Sequence, residues 1–301
     1  MKPLPNFFII GAAKAGTSSL FEYLRQHPDI RTSPIKEPEY FRGEGPSLLR
    51  RGPGDSRDAP PEYTWEGYLE LFAGAGSARA VGEASTTYLR GGAESAGRIH
   101  AAFPEARMIA ILRQPADRAY SNFIHLRREG REPLASFSAA LEAEPERLAA
   151  GWAPIWGFKT DGFYHDRLRA FYDLFGRIRM HVCIYEDWRD PQEMLKGIFG
   201  FLDVDNAFVA DTARHYNVGG LHGRQWLGRP PPRGLRRALK SFTPKAARNW
   251  VWRQVERLRE KDRIPPPPLE PAVRQRLTAE YRDDIEKTQQ LIGRDLSHWL
   301  A

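Results

Sequence analysis

FFIIGAAKAGTSS, residues Phe7–Ser19, decides the fold. Phe7–Gly11 is a short apolar run closed by glycine, the pattern of a buried strand. Thr17–Gln26 places Leu20, Tyr23 and Leu24 on one face and predicts a helix that starts right after the second glycine. A strand that turns through glycines directly into a helix opens an α/β unit, and the alternation continues outward. Ala78–Gly82 predicts a weak strand, Ala93–Phe103 a helix and Arg107–Leu112 (RMIAIL) a clear strand. Pro115–Arg128 has proline at a first helical position and helical apolar spacing. Ser136–Ala150 and Tyr164–Phe175 predict further helices, Ile178–Tyr185 a strand, and Pro191–Leu202 and Pro271–Ile292 helices. Strands joined by helical crossovers pair in parallel, so the expected fold class is α/β. It is one domain over residues 1–301, a central parallel sheet flanked by helices. Two stretches interrupt the order. Glu44–Pro61 is rich in Gly, Pro and Arg and reads as an exposed insertion or mobile loop. Gly223–Pro271 is basic and carries the proline runs Pro230–Pro232 and Pro265–Pro268, an elaboration with a pair of basic helices between extended segments.

The chain of 301 residues is 41% hydrophobic, enough for a sizeable core, and 28% charged, ordinary for a soluble enzyme. The lone Cys183 excludes an intramolecular disulfide and a cysteine-built zinc site, and fits a reducing compartment. The apolar run near the start is too short for a signal-peptide core, and no stretch is long enough to span a bilayer. The expectation is therefore a cytoplasmic protein without a transmembrane segment, with peripheral membrane contact left open. A net charge of +7 invites a nucleic-acid reading. Acidic residues are mixed in throughout, however, and no basic run is interleaved with aromatics, so no nucleic-acid partner is expected. The same balance suits an enzyme whose cofactor is strongly anionic. Nothing here reports on oligomeric state.

Gly11-Ala12-Ala13-Lys14-Ala15-Gly16-Thr17-Ser18-Ser19 carries the first chemistry. Two glycines five positions apart let the backbone wrap and aim its amides inward, and the following helix adds its positive N-terminal end. Lys14 adds a full charge and Thr17, Ser18 and Ser19 add hydroxyls, making a cradle for a phosphate or phosphosulfate. The spacing is near that of a P-loop, but Thr17 stands where a P-loop has its lysine, and Lys14 lies inside the loop. Arg107–Leu112 ends in Arg113 rather than in the aspartate that would help to hold magnesium. A glycine-rich turn with no ligand is the bland alternative, and the loop alone does not decide between them.

RQPADRAYS, Arg113–Ser121, follows the second good strand. Open α/β sheets bind ligands outside the carboxyl ends of their strands, which puts Arg113 on the edge that carries the Lys14 loop. Arg113 and Ser121 together suit a second anion. Arg118 reads as a salt-bridged or solvated helix residue.

These two motifs, in this order and spacing, resemble the sulfotransferase family that uses 3'-phosphoadenosine 5'-phosphosulfate (PAPS), and most of all its carbohydrate branch, which holds the heparan sulfate enzymes and bacterial relatives. HPDI (His27–Ile30), KEPEYF (Lys36–Phe41), GEASTTYL (Gly82–Leu89), GFYHDRLRAF (Gly162–Phe171), YEDW (Tyr185–Trp188) and GRDLSHWL (Gly293–Leu300) extend the resemblance over nearly the whole chain. It implies a P-loop-like sulfotransferase fold with PAPS as cofactor, no metal requirement, and a small-molecule, glycan or lipid acceptor. By resemblance, Lys14, Gly16, Thr17 and Ser18 would hold the 5'-phosphosulfate, with Ala15 and Ser19 beside them. Arg113 and Ser121 would bind the 3'-phosphate. HYNVGGLHGR, His215–Arg224, is similar to the late loop that closes over the nucleotide, which implicates Tyr216, Asn217, Gly219, Gly220 and Arg224. Tyr185 would lie near the nucleotide, though a buried core tyrosine is the preferred reading of its residue type.

An attacking hydroxyl must lose a proton, so a base is needed beside the phosphosulfate. Glu37 matches the position of the family's catalytic glutamate, with Lys36 to orient it or touch the sulfate. Lys14 would stabilise charge on the bridging oxygen. Glu39, His125 and His100 are the rival bases, and a helix-surface histidine is an equal reading of His125. Glu83, at a strand end, has a substrate-binding or a structural role. Ala84 stands where many carbohydrate sulfotransferases have a lysine, and the paired cysteines of secretory members are missing. Trp226, Trp250 and Trp252 in the basic segment would stack on sugars, or simply pack its helices. The alternatives to a sulfotransferase are a P-loop kinase or NTPase and a non-catalytic nucleotide- or nucleic-acid-binding module.

Overall fold

Five strands, Phe7–Gly11 (β1), Ile30–Thr32 (β2), Ala80–Ala84 (β3), Arg107–Leu112 (β4) and Met180–Ile184 (β5), form one parallel sheet in the order β2-β3-β1-β4-β5. The computed structural model describes residues 4–43, 50–55, 62–213, 220–222 and 263–301. β1 and β3 are buried at every residue, because a parallel sheet is covered on both faces and its strands need no polar alternation. Phe7 pairs with Gly82 on β3 and with Arg107 on β4. At Gly82 a β-carbon would lie 2.2 Å from the Phe7 carbonyl oxygen, so only glycine lets β1 and β3 approach as they do.

The helices are Thr17–Leu24 (α1), Trp65–Glu70 (α2), Thr87–Ala102 (α3), Pro115–Arg128 (α4), Phe137–Glu142 (α5), Glu144–Ala149 (α6), His165–Phe175 (α7), Pro191–Phe201 (α8) and Pro271–Ile292 (α9). Leu221–His222 (β6) and Arg263–Ile264 (β7) pair antiparallel. α1 lies along β1–β3, α8 against β5, α3 across β1 and against α7, and α9 against α4 and α7. The core includes an aromatic group under β1. Phe8 meets Phe41, Tyr88 and Phe103 with ring centroids 5.9, 6.3 and 5.8 Å away. From β1 the chain crosses to β2, returns to β3 beside β1 and then passes to β4 on the other side of β1, so a crevice opens at the carboxyl end of β1.

Local sequence accounts for the helix ends that frame this crevice. α4 starts with Pro115, and the N-cap Gln114 accepts from the Asp117 amide at 2.8 Å. The Gln114 amide nitrogen in turn donates to the Trp299 carbonyl at 3.2 Å, which fixes the strand-to-helix turn to the end of the chain. α9 closes at Gly293 in the left-handed conformation, φ 69.

Several expectations need correction. β3 runs two residues later than expected, which draws Glu83 and Ala84 into the strand. α3 starts at Thr87, since Gly91-Gly92 reads as a boundary but acts as a kink, with Gly92 at φ 53 and ψ −127. Ser136–Ala150 is two helices, because Pro145 sits in the first turn of α6 and cannot continue α5. β2 and α2 were not expected; they are three and six residues long. Of the described part of Glu44–Pro61, residues 50–55, Arg51 and Pro53 are exposed as expected of a loop, but Asp55 is fully buried. The Asp55 carboxylate accepts from the amides of Gly52 and Ala153, from Trp156 Nε1 and from Arg131, at 2.7 to 2.8 Å. The basic stretch 223–262 lies outside the described residues, as do Trp226, Trp250 and Trp252.

Candidate active site

The loop between β1 and α1 turns through two left-handed residues, Lys14 (φ 69) and Gly16 (φ 95). Gly16 is the N-cap of α1 and has no side chain with which to cap the first turn. First-turn amides, here at Thr17, Ser18 and Ser19, are a ready anion site. Glycine is demanded here twice over: the φ is left-handed, and a β-carbon would lie 2.4 Å from Trp188 Nε1. That indole nitrogen donates to the Ala15 carbonyl at 3.3 Å, so Ala15 serves through its backbone while its side chain is buried. The Lys14 ammonium is pushed down to about 7 by burial, and by the positive charges of Arg128, Arg113 and Lys36, against a raising effect of Glu129. A lysine held this way gains most from an incoming anion.

Arg113 lies beside this loop. Its Nη1 donates to the Lys14 carbonyl at 3.1 Å, its guanidinium stacks 4.3 Å from the centre of the Tyr185 ring, and its own carbonyl accepts from Tyr164 Oη at 2.8 Å. Arg113, Ser121, Tyr185, Trp188 and Gly220 all line one cavity with Lys14, Gly16, Thr17, Ser18 and Ser19. Tyr185 is 40% exposed, so the core reading is corrected; its ring is a wall of the cavity. Arg118 is corrected as well. It is 1% exposed and donates to the Phe158 carbonyl rather than facing solvent. Of the late loop, Gly220 (φ 139) faces the cavity, while Tyr216, Asn217, Gly219 and Arg224 lie outside the described residues.

The cavity, about 1250 Å³, continues from Lys14 past Lys36 and Glu37 to Arg42 and Glu94. Glu37 and Glu39 both have left-handed backbones, φ 60 and 56. The Glu37 carboxylate accepts from the Thr86 amide at 2.7 Å and from Thr86 Oγ1 at 3.3 Å, and it pairs with Lys36. Glu39 pairs with Arg42 at 3.7 Å, and burial pushes its carboxyl up to about 7, with the Glu37 charge adding to the effect. His125 also lines the cavity, but its Nδ1 faces an Arg128 nitrogen at 2.9 Å and its Nε2 faces Glu129 at 3.3 Å. Arg128 has only protons to offer, so Nδ1 must accept and Nε2 must donate. Burial, Lys14, Arg128 and Arg131 push this imidazole down to about 2. His125 therefore stays neutral with its lone pair occupied, and the base reading of this residue is corrected. His100 packs on Phe175 with ring centroids 5.2 Å apart and does not line the cavity. Glu83 is also corrected. It is fully buried, bound by Tyr68, Ser85 and Tyr88 hydroxyls at 3.0, 2.7 and 2.6 Å, and closed off from any substrate.

A family model described as the sulfotransferase family matches residues 64–208. The crystal structure of a sulfotransferase from Alicyclobacillus acidocaldarius superposes with a TM-score of 0.78 at 33% identity, covering 99% of this chain and 100% of that one. The chain belongs to the sulfotransferase family. Mouse carbohydrate sulfotransferase 15 is 31% identical over 159 residues, 42% of this sulfotransferase and 28% of the mouse protein. The Drosophila bifunctional heparan sulfate N-deacetylase/N-sulfotransferase is 35% identical over 133 residues, or 42% of this chain and 12% of that protein. The chain thus spans less than a third of the length of these curated relatives.

Two features of this sulfotransferase escaped sequence reasoning. Trp188 closes the space above Gly16, and the segment around it is held by Asp187 with Arg294 at 2.6 Å and by Glu186 with Trp299 Nε1 at 3.0 Å. The pairing of YEDW with the closing GRDLSHWL could have been sought as opposite charges in two distant motifs. Asp55 carried no signal: a lone acid in a Gly/Pro-rich stretch looks solvated until its four donors assemble.

Proposed function

We propose that this sulfotransferase moves a sulfuryl group from PAPS to a hydroxyl or amine of a glycan, glycolipid or natural product. The observation that carries the reading is one cavity lined by the Lys14 loop, Arg113 and Glu37 together. The loop fits the donor's 5' end, since the N-terminal end of α1 and a half-buried lysine depressed to about 7 both favour an anion. Arg113 and Ser121 would take the 3'-phosphate, with Tyr185 and Gly220 beside the nucleotide. When bound, the donor supplies an activated sulfur whose bond to the bridging phosphate oxygen breaks as the acceptor oxygen or nitrogen attacks in line. Glu37 removes the acceptor's proton, and its bonds from Thr86 leave it oriented to do so. Lys14 stabilises the negative charge that develops on the leaving oxygen. Lys36 holds Glu37 and is within reach of the sulfuryl oxygens.

The kinship with carbohydrate-directed proteins supports a sugar-like acceptor. Among the described residues no helix is long and apolar enough to cross a membrane. Incubation with sulfur-35-labelled PAPS in EDTA, with desulfated glycosaminoglycans and simple glycosides as acceptors, tests the reading. Labelled product with equimolar adenosine 3',5'-bisphosphate is expected. Transfer of phosphate from ATP with magnesium, and none of sulfur from PAPS, would replace it by the kinase alternative.

A further inference from the structure

We infer that Glu83 is a positioning residue for the acceptor side, holding the Glu37 loop in its working shape through the hydroxyls of Ser85 and Tyr88. This rests on the reading of Glu37 as the base, but the hold itself is a separate matter of geometry.

Residues 36–41 cross the carboxyl end of β3 with two left-handed residues, Glu37 and Glu39. For non-glycine residues such a conformation is strained, and persists only where surrounding bonds over-determine it. Three alternate amides of the loop supply those bonds. Glu37 N–H donates to the Ala84 carbonyl at 2.8 Å, Glu39 N–H to Ser85 Oγ at 3.0 Å and Phe41 N–H to Tyr88 Oη at 3.3 Å. Two of the three acceptors are hydroxyls, which point their lone pairs at the loop only if their protons are committed elsewhere. Glu83 commits both: Ser85 Oγ donates to Oε2 at 2.7 Å and Tyr88 Oη to Oε1 at 2.6 Å. An ionised carboxylate has no proton to give, so it forces this polarity. Burial, with the Glu37 charge adding to it, pushes Glu83 up to about 7 against the three hydroxyl bonds, so the forced polarity is complete only above that pH, where the carboxylate is ionised.

Tyr68 offers an internal control. Its hydroxyl also donates to Glu83 Oε1, at 3.0 Å, but passes no bond on to the loop. Tyr68→Phe removes a bond to Glu83 alone, whereas Tyr88→Phe also removes an acceptor of the loop itself, so Glu83→Gln is the variant that reads the hold Glu83 exerts.

The experiment compares Glu83→Gln, Ser85→Ala, Tyr88→Phe and Tyr68→Phe in the full chain. Hydrogen–deuterium exchange of the peptide covering residues 33–43 is read beside melting temperature and affinity for adenosine 3',5'-bisphosphate. Sulfuryl transfer to N-desulfated heparin, the acceptor probe, gives kcat and KM. Exchange at Glu39 and Phe41 should rise by about tenfold or more in Glu83→Gln, the loss expected for one hydrogen bond. It should rise at Phe41 in Tyr88→Phe and at Glu39 in Ser85→Ala, and hold within twofold in Tyr68→Phe. Bisphosphate affinity should stay unchanged while kcat falls with the exchange. Unchanged exchange in a folded Glu83→Gln, or equal exchange in the two tyrosine variants, overturns the inference. If Glu83→Gln does not fold, Glu83→Asp, which keeps the charge with a shorter reach, is read in its place, and unchanged exchange at Glu39 and Phe41 in that variant overturns the inference. If Glu37→Gln retains full transfer, the base reading fails, and the exchange data still report on Glu83.

Discussion

At the donor end of the cavity the charged and hydroxyl groups come from two continuous turns, residues 11–19 and 113–121, each running from a strand straight into a helix. At the acceptor end they come from residues far apart in the chain. Glu37 is bound by Thr86, 49 positions away, and Asp55 holds its segment to Arg131 and Trp156, 76 and 101 positions away. An anion cradle can be built from local backbone and a helix end, because α-helix amides are supplied in bulk and need little support. A carboxylate that must remove one proton from one atom needs a backbone held off its preferred conformation. That support is long-range here. The donor end should accordingly tolerate changes in the acceptor wall, and the two ends should fail in different ways.

The largest expected effect separates them. Glu37→Gln should cut sulfuryl transfer by roughly 100- to 10,000-fold, the range for a lost general base. Affinity for adenosine 3',5'-bisphosphate in the same variant should hold within about twofold, as calorimetry would read, since Lys14 and Arg113 are untouched. A parallel loss of both would mean that the ends are not independent.

Next comes the support under the acceptor wall. Asp55→Ala takes the buried carboxylate away from Arg131, which keeps Glu129 and the Pro53 carbonyl, and from Trp156 and two amides. Removing one partner of a buried pair costs about 3–5 kcal/mol. Urea denaturation should show that loss, with the bisphosphate still bound by the folded fraction. Unchanged stability would mean that segment 50–55 is not docked as described.

A smaller effect tests the donor end. Arg113→Ala removes a charge-assisted contact, worth about 1.5–3 kcal/mol, so bisphosphate binding should weaken by roughly ten- to a hundredfold. Binding of AMP, which has no 3'-phosphate, should fall far less. Equal losses for the two ligands would place Arg113 on the 5' side instead.

The smallest is a proton. Lys14 is depressed to about 7 without ligand, and a bound phosphate favours its ammonium form. The free protein loses that proton as pH rises through 7 while the complex keeps it. Affinity should therefore fall above pH 7, and binding at pH 8 should take up about one proton, measured by calorimetry in buffers of different ionisation enthalpy. No uptake would mean that Lys14 does not meet the phosphate.

The two strand-to-helix turns at residues 11–19 and 113–121 were legible because their signals are contiguous: glycines, a lysine and hydroxyls between an apolar run and a helical one, then proline after RMIAIL. The alternation of strand and helix was legible for the same reason, and Pro115–Arg128 and Pro271–Ile292 lie at the expected bounds. Short elements escaped. Ile30–Thr32 is too brief for periodicity, and Gly91-Gly92 signals a break that the helix absorbs as a kink. At the acceptor end, residue type misled. Glu83 next to a strand looked like a substrate contact, but Ser85, Tyr88 and Tyr68, 2, 5 and 15 positions away, bind its carboxylate in the interior. His125 looked like a base because its sequence does not reveal that Arg128 occupies its lone pair. Tyr185 looked like core because nothing local shows Arg113 stacked upon it.

The most direct test is a calorimetric titration in EDTA with adenosine 3',5'-bisphosphate, with AMP and with ATP–magnesium as comparisons. The account predicts tight, metal-independent binding that needs the 3'-phosphate and weakens in Arg113→Ala and Lys14→Ala. No binding, or a clear preference for ATP with magnesium, would contradict it.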